Sequence, residues 1–157
     1  MLKHFLVAID DSDASGNALR IAARLALGVE AKVTVLRVIP LARKGPSEQD
    51  ELLRLKDWLK STYAVDQDAP TFTPAVIGGI PQVEISRYAE SIGVDLVVLG
   101  RKVRSRTTRL MLGDTTDAVV RRNRLPTLLV PALLQDVRGM LVALDGTDRG
   151  SLVLSKA

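Results

Sequence analysis

Three carboxylates fall within four positions, Asp10, Asp11 and Asp13, directly after the apolar run Phe5 to Ile9. Oxygen ligands at that density suit Mg2+. A plainer arrangement serves as well: one Asp facing a ligand, one in solvent and one capping a helix, and this is the reading adopted, with no metal site assigned. The second stretch able to do chemistry is basic. Residues 101–124 hold eight Lys/Arg and two Asp, a local +6 inside an overall +4, which leaves the remainder near −2. Such a patch attracts phosphates. Aromatics make up only 3% of the chain and none lies between 100 and 131, so bases would find no stacking platform. An anion-binding loop is therefore favoured over a nucleic-acid interface. Arg121, Arg122 and Arg124 fit a simpler role beside a helix C-terminus.

Other chemistries are thinly supplied. There is no cysteine, hence no disulfide or thiolate site. The single histidine, His4, is expected on the surface of the first strand. No Ser–His or Cys–His pair is available, so no catalytic residue is assigned and no enzyme activity is expected. Lys3 and His4 precede only five apolar residues, too few for a signal-peptide core. No stretch is long enough to span a membrane. A cytoplasmic protein without membrane contact is expected.

The elements that must position these residues follow from hydrophobic periodicity. Leu6 to Ile9 reads as a short buried strand. Ser12 or Asp13 caps a helix over 14–27, with Leu19, Ala22, Ala23 and Ala26 on one face and Gly28 as its stop. A second strand covers 31–39 and a loop 40–46. Ser47 caps a helix to about Tyr63, with Leu52, Leu55 and Leu59 inward; Trp58 is read as core or core edge. Residues 71–77 form a strand that Pro74 confines to an edge. Pro81 opens a helix bearing Ile85, Tyr88, Ala89 and Ile92. Then come a strand over 94–99, an irregular basic segment from Gly100 to Gly113, a helix over 114–123 and a fifth strand over 126–130. Alternating strands and helices imply an α/β, doubly wound, Rossmann-like parallel sheet with helices on both faces.

One pattern occurs twice. Phe5-Leu-Val-Ala-Ile-Asp-Asp-Ser-Asp13 is echoed by Met140-Leu-Val-Ala-Leu-Asp-Gly-Thr-Asp148. The repeat suggests two copies of one folding unit: a domain over 1–133, then, over 134–157, a linker with the first strand and helix start of a second, incomplete repeat.

Together these segments resemble the universal stress protein family. The resemblance rests on residues 5–15, Leu36-Arg-Val38, the Gly, Pro and helix segment 78–89, Val94-Asp-Leu-Val-Val-Leu-Gly100, and Leu125-Pro-Thr-Leu-Leu-Val-Pro131. It implies five parallel strands in the order 3-2-1-4-5. Tandem members exist, so the repeat at Met140 is expected to open a truncated second domain. Response-regulator receivers share the acidic pair after the first strand. They need a phospho-acceptor Asp where this chain has Gly100, and a Lys that does not precede Pro126, so that alternative is set aside.

The resemblance also implies a site. Nucleotide-binding members carry Gly-x2-Gly-x9-Gly-Ser/Thr after the fourth strand. The frame here is Gly100, Val103, Gly113, Asp114, with the spacing kept and two residues changed. By position, Ala8, Ile9, Asp10, Val38 and Leu99 would meet adenine and ribose. Gly100, Val103, Gly113, Asp114, Thr115 and Thr116 would meet phosphates. Val103 resists the positive φ and close approach that glycine permits. Asp114 brings a negative charge to a helix N-terminus that would otherwise attract a phosphate. The expected function is a regulatory stress-response domain acting by dimerisation or partner contact. Its degenerate crevice would bind ATP weakly or not at all, and no cofactor is expected. The alternative is a sensor of ATP or AMP, with Mg2+ possible. The expected partner is a second copy, or a second repeat, joined through the edge strand at Pro126 to Val130.

Overall fold

The computed structural model describes residues 2–41, 45–63, 70–101 and 114–134. The element order is β1 (His4–Ile9), α1 (Asp13–Gly28), β2 (Lys32–Ile39), α2 (Glu48–Tyr63), β3 (Phe72–Gly78), α3 (Pro81–Ser91), β4 (Leu96–Arg101), α4 (Asp114–Arg122) and β5 (Thr127–Pro131). All neighbouring strands pair in parallel, in the order β3-β2-β1-β4-β5. The expected α/β sheet is thus present, and Pro74 lies in an edge strand, where its missing N–H leaves no gap between strands.

Strand alternation divides the core. From β1, Phe5, Val7 and Ile9 join Ala18, Leu19 and Ala22 of α1 and Leu55 and Leu59 of α2. Leu6 points the other way, with Leu36 and Leu99, to meet Ile85 and Ala89 of α3 and Val119 of α4. The alanines of α1 are fully or nearly fully buried, so this helix sits close to the sheet.

Caps follow the sequence closely. Ser12 is the N-cap of α1, its Oγ accepting from Ser15 N at 3.4 Å. Ser47 Oγ accepts from Asp50 N at 3.2 Å, and Asp50 Oδ2 accepts from Ser47 N at 3.1 Å, a reciprocal capping box. Ser47 Oγ also donates to Asp50 Oδ2 at 2.8 Å, and this bond, then the one from Ser47 N, holds the Asp50 carboxyl below its usual range.

Four expectations need correction. His4 is not a surface residue. It is 8% exposed, and its Nε2 lies 2.8 Å from Thr34 Oγ1, because β1 is the central strand. Helix α1 reaches Gly28, but the left-handed residue that ends it is Glu30, at φ 55°. Glu30 N bonds Leu27 O, and Ala31 N bonds Ala26 O at 2.8 Å, the paired bonds of a Schellman stop. Gly100 and Arg101 belong to β4, not to a loop. Trp58, expected at the core or its edge, remains 39% exposed. The segment 102–113 and the repeat at 140–148 lie outside the described residues. No described helix is long and apolar enough to cross a membrane.

Candidate functional site

In an open parallel sheet, ligands collect beyond the strand carboxyl ends where connections depart in opposite directions. Here that point lies between β1 and β4. The strand ends deliver Ala8, Leu36 and Leu99 side by side, followed along their strands by Ile9, Arg37 and Gly100, and after β1 by Asp10.

Asp10 is held from several sides. Its Oδ1 accepts from Ser12 N at 3.0 Å and from Ser12 Oγ at 2.5 Å. Its backbone is clamped by buried Ser15, whose Oγ accepts from Asp10 N at 3.2 Å and lies 2.7 Å from Asp10 O, to which it donates. The carboxylate itself stays exposed. Gly100 has a structural reason to be glycine. A Cβ there would lie 2.4 Å from Ala14 C and 2.6 Å from Ser15 N, so only a bare backbone lets α1 begin against β4. Asp11 is drawn away to Arg37, at 2.5 Å. Among the described residues, no three His, Cys, Asp or Glu gather as a metal cage.

A cavity of about 340 Å³ opens over this point. Eight of the expected residues line it: Ala8, Ile9, Asp10, Val38, Leu99, Gly100, Thr115 and Thr116. Val103 and Gly113 lie outside the described residues. Asp114 is the first residue of α4. Ser12, Ser15, Leu36, Pro81 and Ile85 complete the lining and were not anticipated as site residues. Their signals were available: serines two and five places after Asp10, and Leu36 one alternation before Val38. Among the described lining residues, Asp10 is the only formal charge. Helix α4 begins beside this cavity, with Thr115 and Thr116 of its first turn in the lining; the N–H groups of a helix's first turn have no partner inside the helix and suit an anion.

A larger chamber, about 930 Å³, adjoins the first and shares Ile9, Asp10, Ser12, Ser15, Val38 and Pro81 with it. Alternation along β2 explains the division. Leu36 lines the small chamber under α3, Arg37 and Ile39 turn toward the large one beside α1 and α2, and Val38 borders both. Arg37 Nε lies 3.4 Å from Glu51 Oε2, so its guanidinium links the ends of β1 and β2 to α2.

Comparison with known proteins agrees with the architecture. A sequence model of the universal stress protein family matches residues 1–131. Universal stress protein MJ0577 of Methanocaldococcus jannaschii is 33% identical over 55 residues, 35% of this chain and 34% of that protein. Among solved structures, universal stress protein UspA from Lactobacillus plantarum superposes with a TM-score of 0.66 at 26% identity, covering 82% of this chain and 97% of its own. A universal stress protein family protein from Arabidopsis thaliana, solved with AMP bound, gives a TM-score of 0.59 at 16% identity, covering 82% and 91%.

Proposed function

This chain belongs to the universal stress protein family, and on that premise we propose that it is a regulatory domain whose crevice receives the nucleoside part of an adenine nucleotide and grips a polyphosphate weakly or not at all. The observation that carries this reading is the make-up of the small chamber. It has apolar walls from Ala8, Leu36, Val38 and Leu99, hydroxyls from Ser12, Ser15, Thr115 and Thr116, and one carboxylate, Asp10. That set suits a base and a ribose. Among its described residues there is no cation to meet a phosphate.

The phosphate side is weakened further by residue type. Glycine's freedom is lost at Val103. An aspartate opening α4 is itself stabilised by the helix dipole, by about 0.3–1 kcal/mol. At about 4 Å it would repel each unit of phosphate charge by roughly 4 kcal/mol at an effective dielectric near 20. The proposed role is binding without turnover. It would act through contact: β5 is an edge strand, and an open edge is a template for another chain. The proposed assembly is a homodimer, or a pseudo-dimer with a second repeat beginning near Met140, joined through residues 126–130.

A second reading is an ATP or AMP sensor. It is favoured by Arg101, Lys102, Arg104, Arg106 and Arg109, five cations close in sequence to the chamber, and by the AMP bound in the Arabidopsis relative. Melting curves separate the two. Ligand at a hundred times its dissociation constant adds about 2.7 kcal/mol. The first reading expects millimolar adenosine and AMP to raise the melting temperature and ATP–Mg to do no better. Stabilisation by micromolar ATP–Mg would establish the sensor instead. The double substitution Val103→Gly with Asp114→Ser should tighten ATP binding at least tenfold; no gain would show that these two residues are not the defect.

A further inference from the structure

The two edges of the sheet are finished differently. Along β3 the ladder is set by Val33 N, which bonds Thr71 O at 3.1 Å, with Val33 opposite Phe72. In a parallel ladder successive residues turn their main-chain groups to opposite sides. Thr71, Thr73, Ala75 and Ile77 therefore face β2, while Phe72, Pro74, Val76 and Gly78 face the open edge. Gly79 keeps the alternation, its N–H returning to Ile39 O at 2.9 Å. Of the four outward residues, Pro74 has no N–H to offer. The N–H of Gly78 is taken by Glu48, the first residue of α2, which accepts it through Oε1 at 2.6 Å. Gly78 lets that carboxylate come close, since a Cβ there would lie 2.9 Å from Glu48 Oε1 and 3.0 Å from Leu41 Cδ2. Every second outward position of β3 thus lacks a donor, and an exposed carboxylate stands over one of them. An incoming strand would find half the donors of a ladder and would have to displace or bury that charge.

At the other edge the same alternation gives a different result. Val97 N bonds Pro126 O at 2.9 Å, with Val97 opposite Thr127, so Thr127, Leu129 and Pro131 turn outward. Pro131 ends the strand, its carbonyl accepting from Asn17 Nδ2 at 2.8 Å. Thr127 and Leu129 are neighbouring outward positions, each with an N–H and a C=O. A second copy related by a two-fold axis can set its own two positions against them in an antiparallel ladder. Strand β3 offers no such neighbouring pair, because Pro74 separates Phe72 from Val76. The distinction matters for what is built. A contact of β5 with β3 of the next copy would be heterologous, and without closure it would extend as a filament.

We propose that Pro74 and Glu48 seal the β3 edge against a second copy of this chain, so that assembly through β5 stops at the dimer. The β5 contact rests on the function proposed above, whereas the seal rests on β3 alone. The test is analytical ultracentrifugation of the full chain and of Glu48→Ala, Pro74→Val and the double variant, from micromolar to near-millimolar concentration. The unaltered chain should not grow beyond the dimer. The double variant should form larger species as concentration rises, and each single variant fewer of them. Hydrogen exchange reads the bond itself: Glu48→Ala should speed exchange of the Gly78 amide about tenfold or more. A folded double variant no larger than the unaltered chain would overturn the proposal, as would species beyond the dimer in the unaltered chain. Should the double variant fail to fold, exchange in Glu48→Ala decides, and an unchanged rate at Gly78 overturns the seal. A monomeric unaltered chain beside an associating double variant would support the seal and sink the β5 contact, so the two failures are told apart.

Discussion

At the amino ends of the strands, Asp95 accepts from Lys3 N at 2.8 Å and His4 N at 3.1 Å, and Asp95 N bonds His4 O at 2.8 Å. At the carboxyl ends, Asp10 bonds Ser12 while its carboxylate stays exposed above a cavity. Both aspartates hold backbone N–H groups beside β1. Their surroundings differ. At the amino end the two connections that deliver the chain into β2 and β4, after α1 and α3, are tight helix stops. The connections leaving the carboxyl ends open two chambers. The same kind of bond therefore staples the sheet at one end and fixes the Asp10 carboxylate beside a cavity at the other.

The largest expected effect tests how tightly the open end is built. Gly100→Ala places a methyl 2.4 Å from the backbone of Ala14, and backbone cannot swing aside. The substitution should destabilise the domain by about 3 kcal/mol, measured by urea unfolding. A loss below about 1 kcal/mol would mean that the junction of α1 and β4 is loose and that the crevice lacks a rigid floor. Next in size is the contrast between the aspartates. Asp95→Ala leaves the part-buried His4 N and the exposed Lys3 N without that acceptor and should cost about 1–2 kcal/mol. Asp10→Ala should cost less than about 1 kcal/mol, because an exposed group is rehydrated when its partner goes, yet should remove the melting shift with adenosine. Equal stability losses would erase the distinction between the two ends.

His4 adds a pH dependence to the closed end. Burial, then the nearby Lys32, pull its pKa below 6.5, with Asp95 opposing them. The unfolded chain then binds a proton more readily than the folded one. Its contribution is whole above about pH 6.5 and declines as pH falls through that value toward the lowered folded pKa. Unfolding free energy should fall between pH 7 and 5, and His4→Gln should flatten that slope. An unchanged slope in the variant would place the titration elsewhere.

How far residues alone reveal each end follows from what each depends on. Strand and helix order was readable because alternation and caps are local: Ser12 and Ser47 sit where their hydroxyls are needed. Pro74 announced an edge because a missing N–H has no other place in a sheet. His4 was misjudged because its burial depends on β1 lying between β2 and β4, a tertiary fact absent from its immediate neighbours. Asp10 was placed at the strand-end crevice through its position after β1, and it lines that cavity. Ser15 was not, since a serine in a helix's first turn reads as a capping residue until its contact with the Asp10 backbone is seen. Trp58 was assigned to core or core edge by type, whereas its spacing with Glu51 and Arg54 was the better guide.

The smallest effect concerns the stops that make the closed end tight. After α3, the left-handed position is Gly93, at φ 61°, with Val94 N on Ala89 O at 3.2 Å. After α1 the same place is held by Glu30, at φ 55°, with the same two bonds. A side chain in that conformation costs about 1–2 kcal/mol, and glycine avoids it while losing more freedom on folding. Glu30→Gly should therefore stabilise the domain by roughly 0.5–1 kcal/mol, whereas Gly93→Glu should destabilise it by roughly 1 kcal/mol. Both are read from urea midpoints at constant slope. Opposite signs would show that the two stops are one device in different residues. A loss in Glu30→Gly would mean that the Glu30 side chain contributes more at the α1 stop than its backbone strain costs.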